Sequence, residues 1–506
     1  MISRFAVAVA AIIAITIGLF ELHEASAGLS ITRTTVGNTP VTVFQPKENE
    51  TLAPAVVIAH GFAGSQQLMQ PFAETLARNG YIAVTFDFLG HGRNRIQMRG
   101  DLAEGTAITS ALLGELERVA AFAGTLPGSD GRTAVVGHSM ASDIVVRFAQ
   151  AHPEVQATVV VSVFSPVVTA TSPKNLLVIV GTLEPSMLRD EGLRIVGLAA
   201  GGNAVAGATY GSFADGTARR LVLARGVEHI GVLFSHDSMV ETLRWMNAAF
   251  ERESGGIVDS RGSSLALLFL GIVALAWPLS SRLPAAGSIP IGASLAWKPL
   301  LVTAFVPAIL TPLILWKLPT DFLPILLGDY LALHFLLYGG ITLTILLWFR
   351  ERARGERTLD SFKPIAIAAG AVTVYNIIAF GLPIDAYVFS FLPVPERIPL
   401  MAAIAVGTLP YFIADEWLTR GADARRCAYS LTKFCFLLSF TIAVLLNPMK
   451  LFFLIIIAPA ILMLFLTFGL ISRWSYAATG HPLPGALGNA AVFAWAIAVT
   501  FPMVVR

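Results

Sequence analysis

The sequence predicts a mixed α/β domain, built on a doubly wound and mostly parallel sheet, followed by an all-α membrane region of about eight helices. Three observations carry this expectation. Short Val/Ile-rich runs alternate with helix-period segments over residues 28–262. From Ser263 onward the chain becomes a series of apolar segments, each near the roughly 20 residues that span hydrocarbon as a helix. The composition, 55% hydrophobic against 13% charged over 506 residues, is too apolar for an ordinary soluble protein.

In chain order, residues 5–20 form an apolar run behind Arg4, followed by Glu21-Leu22-His23-Glu24 and Ala25-Ser26-Ala27. Residues 1–27 thus read as a signal peptide with an A-x-A cleavage site or as an uncleaved anchor, and both readings stand. Within 28–262, strands are expected at Val41–Phe44, Ala55–Ala59, Ile82–Phe86, Thr133–Val136, Ala157–Val163, Leu176–Val180 and Arg220–Leu223. Helices are expected at Gln66–Arg78, Thr106–Ala123, Ala141–Gln150 and Ser235–Phe250, and residues 201–216 form a Gly/Ala-rich loop. In such sheets ligands bind at the carboxyl ends of the strands.

Eight spans follow in 263–506, at about 263–281, 298–316, 323–349, 364–382, 398–416, 428–446, 451–472 and 485–505. The loop with Arg350, Arg352, Arg354, Arg357 and Lys363 is the most basic, and that with Arg420, Arg425 and Arg426 is next. Both fall on one side if the spans alternate, and basic loops stay cytoplasmic. Residues 28–262 then face the other way, outside the cytoplasm. Asp329, His334 and Asn376 are polar at membrane depth. Asp329 and His334 are separated by about 140° around a helix and do not share a face.

The net charge of +2 and the lack of a Lys/Arg block exclude nucleic acid as an expected partner. The two cysteines, Cys427 and Cys435, lie in the membrane half, so no disulfide is expected in the α/β domain. No histidine or carboxylate spacing suggests a metal, and no cofactor is expected.

Chemistry concentrates at Gly137-His138-Ser139-Met140-Ala141, between the apolar run Thr133–Val136 and a helix-like stretch. This is the pattern of a nucleophile elbow. Small residues two before and two after the serine let strand and helix pack closely, while a sharp bend exposes the hydroxyl at the sheet's carboxyl edge. Three further patches occur in order: His60-Gly61-Phe62-Ala63-Gly64-Ser65, Asp87-Phe88-Leu89-Gly90-His91-Gly92 and Gly226-Val227-Glu228-His229.

With these four patches in this order, residues 39–250 resemble the α/β-hydrolase superfamily, with an α/β-hydrolase fold of the serine esterase or lipase type. The resemblance covers less than half the chain and is silent on the membrane region. It implies Ser139 as nucleophile and His229 as the base, because a serine hydroxyl attacks poorly without a base in hydrogen-bond reach. It implies an acid after the preceding strand, where Gly181-Thr182-Leu183-Glu184 offers Glu184 in place of the usual aspartate; Asp190 is the alternative. His236, seven residues beyond His229, opens the last amphipathic helix with Ser235 as its cap. The oxyanion donors implied are the backbone amides of Phe62 and Met140. His60, His91 and His138 flank glycines in turns typical of the family and are expected to be structural or pocket-lining rather than catalytic.

The expected activity is a membrane-bound, extracytoplasmic serine hydrolase acting on small-molecule or lipid-like carboxylic esters. An acyltransferase with the same residues, or a transporter or sensor with a ligand-binding domain, are the alternatives. Only residues 164–175 separate two strands where a lid would insert, so an open pocket is expected. Arg93, Arg95 and Arg99 on its rim read as a solvated loop or as contacts for an anionic head group.

Overall fold

The computed structural model describes residues 3–48, 51–99, 105–286, 290–350 and 362–505. The α/β domain is built on strands β1 (Leu29–Val36), β2 (Thr39–Pro46), β3 (Ala53–Ala59), β4 (Ile82–Phe86), β5 (Ser129–His138), β6 (Val155–Val161), β7 (Leu176–Gly181), β8 (Thr209–Tyr210) and β9 (Arg219–Ala224). They form one sheet in the order β1-β2-β4-β3-β5-β6-β7-β9-β8. The six strands from β4 to β9 in that order run parallel, and β1, β2 and β8 join antiparallel.

Alternation along the central strands makes the sheet two-faced. Val57 and Val135 point to the side of helices Gly105–Gly124 and Met140–Ala151, whereas Val56, Ile58, Ala134 and Val136 pack with Phe72, Leu76, Leu243 and Met246 of helices Gln70–Arg78 and His236–Phe250. Both faces are therefore covered, which is why these strands read as continuous apolar runs.

Three elements escape the sequence reading. β1 exposes six of its eight residues, so it carries no apolar face to detect. β8 lies inside the Gly/Ala-rich loop and pairs with β9 through Thr209 and Tyr210. Helix Ser186–Ala200 follows directly on β7 and carries Asp190.

Among the described residues nine helices are long and apolar enough to cross a membrane, the first being Arg4–Glu24. These spans mark a multi-pass membrane protein. The first helix packs along Gly262–Ser280: Gly18 lies against Ser264 and Leu268, and Gly271 against Ala11 and Ile15, a close approach that only small residues permit. Ser264 Oγ donates to Glu21 at 2.6 Å, and Arg4 lies over the Trp277 ring.

Several expected spans shift. That expected at 323–349 begins at Gly328, and that expected at 451–472 runs from Phe453 to Thr479. That expected at 364–382 continues through a π-helical turn, Asn376–Phe380, to Tyr387. The last ends at Thr500 rather than 505. Hydropathy cannot separate apolar residues buried in lipid from those buried in protein, and residues 501–504 are buried against the α/β domain. The loop residues Arg352, Arg354 and Arg357, and the terminal Arg506, lie outside the described residues.

The membrane region grips two loops of the α/β domain. Met503 donates its N–H to the Gly90 carbonyl and accepts from Met98, and Val505 donates back to Met98, each at 2.9 Å. Arg397, 1% exposed, donates to the carbonyls of Gly90 at 2.7 Å and Phe501 at 2.8 Å, and to that of Ala498. Hydrogen bonds from a charged donor contribute about 1.5–3 kcal/mol each, so Arg397 outweighs the exposed, solvent-screened Arg95–Glu396 pair. On the opposite side, buried Arg261 pairs with Glu74 and Asp259, both at 2.5 Å, and fixes the linker before the second span.

Candidate active site

Ser139 stands at the tip of β5 with φ +52° and ψ −116°, a backbone that L-residues seldom adopt. The turn is forced by packing. A Cβ on Gly137 would collide with the Ala141 carbonyl and with Val145, so strand and helix meet only because residue 137 has no side chain. Ala141 is fully buried and fits with its methyl.

His229 reaches this serine from the loop after β9. Its Nε2 lies 3.0 Å from Ser139 Oγ, and its Nδ1 lies 2.7 Å from Glu184 Oε2. The structure thus brings together three residues far apart in sequence. The Glu184 side chain is 0% exposed, and its other oxygen accepts from Ser162 Oγ at 2.8 Å and from the Gly181 N–H at 2.7 Å. With both oxygens occupied by donors, the carboxylate is fixed in orientation and its charge is compensated within the protein.

Ser162 was not expected. It sits at the end of β6 with φ +57°, and nothing in the tripeptide Val161-Ser162-Val163 announces that a serine there will turn toward the carboxylate. The alternatives do not reach His229. Asp190 has a 61% exposed side chain and pairs with its neighbour Arg189. His236 is exposed at the start of its helix, where Ser235 holds the cap position without the side-chain bond expected of it.

Opposite the serine lies the loop after β3. A Cβ on Gly61 would come within 3.0 Å of Ser139 Cβ, so this backbone touches the Ser139 side chain. The amides of Phe62 and Met140 make no hydrogen bond among the described residues and are free to donate. Asp87, fully buried, accepts from the Gln66 N–H at 2.8 Å and the Arg93 N–H at 3.0 Å, tying the loops after β3 and β4 together. Gly92 lies at φ +50° against this carboxylate, where a side chain would not fit.

The three flanking histidines are buried, and burial pushes the pKa of each below the ordinary value, with His91 and His138 well below. They are therefore neutral. His60 accepts the Phe88 N–H at Nε2, which leaves its proton on Nδ1, 2.8 Å from the Gly61 carbonyl. His138 Nε2 lies 3.1 Å from the His229 carbonyl and supports the loop that carries His229. Among the described residues no group of His, Cys, Asp or Glu is arranged to hold a metal ion.

The rim departs from expectation. Arg93 pairs with Asp385 at 2.5 Å and is only partly exposed, whereas Arg95 pairs with Glu396 and stays exposed; both acids belong to the membrane region. Arg99 is exposed. The membrane region comes up to this rim: the Phe453 and Phe62 ring centroids are 4.3 Å apart, and Ser390 donates its N–H to Ser65 Oγ at 2.8 Å. Within the bundle, Asp329 lies in the first helical turn and accepts from the Phe322 and Tyr330 N–H groups, and His334 lies 3.1 Å from Ser439 Oγ. Asn376 is buried in the π turn, and neither of its side-chain polar atoms has a hydrogen-bond partner among the described residues.

Residues 51–189 match the profile of the serine aminopeptidase S33 family. No curated protein matches the chain. Among solved structures, a hypothetical protein of Pseudomonas aeruginosa is 12% identical, covering 45% of this chain and 95% of its own, with a TM-score of 0.34. A candidate dienelactone hydrolase of Klebsiella pneumoniae subsp. pneumoniae is 18% identical, covering 44% and 99%, with a TM-score of 0.33. A candidate lipase of Acinetobacter baumannii is 15% identical, covering 47% and 96%, also with a TM-score of 0.33.

Proposed function

We propose that this chain, whose N-terminal domain belongs to the α/β-hydrolase superfamily, is a membrane-embedded serine hydrolase that cleaves carboxylic esters through an acyl-enzyme on Ser139. The observation that carries the reading is the unbroken hydrogen-bond chain from Ser139 Oγ through His229 to Glu184 at the carboxyl edge of the sheet.

In this reading Ser139 Oγ attacks the ester carbonyl while His229 Nε2 takes its proton. Glu184, held by Ser162 and Gly181, keeps the imidazole in the tautomer with Nδ1 protonated and stabilises the imidazolium that forms. The carbonyl oxygen, now negative, accepts from the Phe62 and Met140 amides, whose positions are fixed before the substrate arrives. As the intermediate collapses the carbon–oxygen bond to the alcohol breaks, and His229 returns its proton to the leaving oxygen. A water, deprotonated by His229, then releases the acid and restores Ser139. The matching family's description names an aminopeptidase, so amide cleavage is the second reading; parallel assays on 4-nitrophenyl esters and aminoacyl 4-nitroanilides separate them.

A fluorophosphonate probe tests the core of this reading, because it reacts only with an activated serine. Wild-type protein should label and Ser139→Ala should not. Labelling of the alanine variant at another serine would overturn the assignment. The packing of helix Arg4–Glu24 along Gly262–Ser280 supports a retained anchor rather than a cleaved peptide, and the basic loops support a domain outside the cytoplasm.

A further inference from the structure

We propose that Phe453, contributed by a membrane helix, forms with Phe62 one wall of the substrate site, and that the substrate is an ester whose acyl chain resides in the bilayer leaflet beside the domain; this rests on Ser139 being the nucleophile. Phe62 follows Gly61, whose backbone abuts Ser139, so the residue stands on the loop that borders the serine. The Phe62 ring lies at 4.3 Å and 31° from Phe453, and at 6.4 Å from Phe501. Phe501 is 2% exposed and backs the pair, but Phe62 and Phe453 are both only partly buried. The pair is tilted and each residue is partly exposed, so it presents apolar area on the loop that borders Ser139.

Phe453 is also the first residue of the most apolar span, Phe453–Thr479, with a mean hydropathy of 2.8. Phe452 beside it is 42% exposed and Met449 is 90% exposed, so the wall continues into a surface that faces hydrocarbon. Across the site the residues flanking Glu184 are apolar and exposed as well: Leu183 at 66% and Met187 at 47%. An acyl chain rising along Phe453 brings its ester carbonyl to Ser139 while the alcohol stays at the water-facing rim. The Ser65–Ser390 and Arg93–Asp385 ties hold the two halves of this wall in register.

The test uses full-length protein in phosphatidylcholine nanodiscs with 4-nitrophenyl acetate and 4-nitrophenyl palmitate. The quantity read is the ratio of kcat/KM for palmitate to that for acetate. Phe453→Ala should lower it about tenfold, the scale of discrimination set by lost apolar contact, and Phe453→Leu should lie between the two. Phe452→Ala, which faces lipid, should lower it less than twofold. An unchanged ratio in Phe453→Ala, or an equal fall in Phe452→Ala, overturns the proposal. If Phe453→Ala does not fold, Phe453→Leu alone decides, a wild-type ratio again overturning it. Failure of the underlying reading looks different: wild-type protein would then lack Ser139 labelling by the fluorophosphonate.

Discussion

Three donors meet the Glu184 carboxylate, from His229, Ser162 and Gly181. Removing its charge while keeping its shape isolates the electrostatic part of its role. Glu184→Gln should lower kcat for a short-chain ester on the order of 10³- to 10⁴-fold, since an amide at this place favours the wrong imidazole tautomer and cannot stabilise the imidazolium. Ser162→Ala leaves the carboxylate but removes one of the two donors on its Oε1, and a loss of about tenfold is expected, the cost of one hydrogen bond to a charged group. Near-wild-type rates in Glu184→Gln with a collapse in Asp190→Asn would move the role to Asp190. At this scale the sequence nominated the residues that the structure brings together, because each follows a strand whose end is marked by glycine. Ser162 was hidden: its contribution depends on a left-handed backbone that no neighbouring residue signals.

Two loops after β3 and β4 carry the oxyanion side of the proposed site, and both are held by elements from the far half of the chain. Asp385 takes Arg93 at 2.5 Å and the N–H groups of Phe391 and Leu392 at 2.9 Å, while its own carbonyl accepts from Gln67. Asp385→Ala therefore releases the turn at Phe391 and Leu392 together with the Arg93 loop. Misplacing an oxyanion donor acts on the transition state more than on substrate binding. The expected result is a fall in kcat of about ten- to a hundredfold, with KM for a short-chain ester altered by less than about threefold and partial rescue by Asp385→Glu. A rise in KM with kcat unchanged would mean that the segment gates entry rather than positions the loop. None of this was legible in the sequence. Strands and spans announce themselves through local periodicity, whereas the pairing of Arg93 with a residue 292 positions away depends on the docked arrangement of two regions. The same reason hid the tail 501–505, whose apolar residues read as a continuing span.

At the scale of the whole molecule, the spans have a common polarity relative to the α/β domain. The helix Ile398–Thr419 starts beside Arg397, which bonds Gly90, and its 22 residues carry the chain roughly 33 Å away. The loop with Arg425 and Arg426 therefore lies at the end of the bundle remote from the domain, as does Arg425's partner ring, Trp297. Arg420 is a weaker topological charge than it first reads, being turned inward onto Glu416 at 3.0 Å and the Gly469 carbonyl at 2.9 Å. Arg425 and Arg426 remain exposed, and such residues near span ends are retained in the cytoplasm. The chain carries its own reporter of this arrangement: Cys427 is exposed in the same loop, whereas Cys435 is buried. In intact cells stripped of any outer wall, a membrane-impermeant maleimide should leave Cys427 unlabelled and react with it after permeabilisation. The same reagent should label an Asp215→Cys variant, exposed on the α/β domain, without permeabilisation. The reverse pattern would place the domain in the cytoplasm and, with it, any ester substrate in the inner rather than the outer leaflet, because the Phe62–Phe453 wall fixes the site to one end of the bundle whichever way the bundle is inserted.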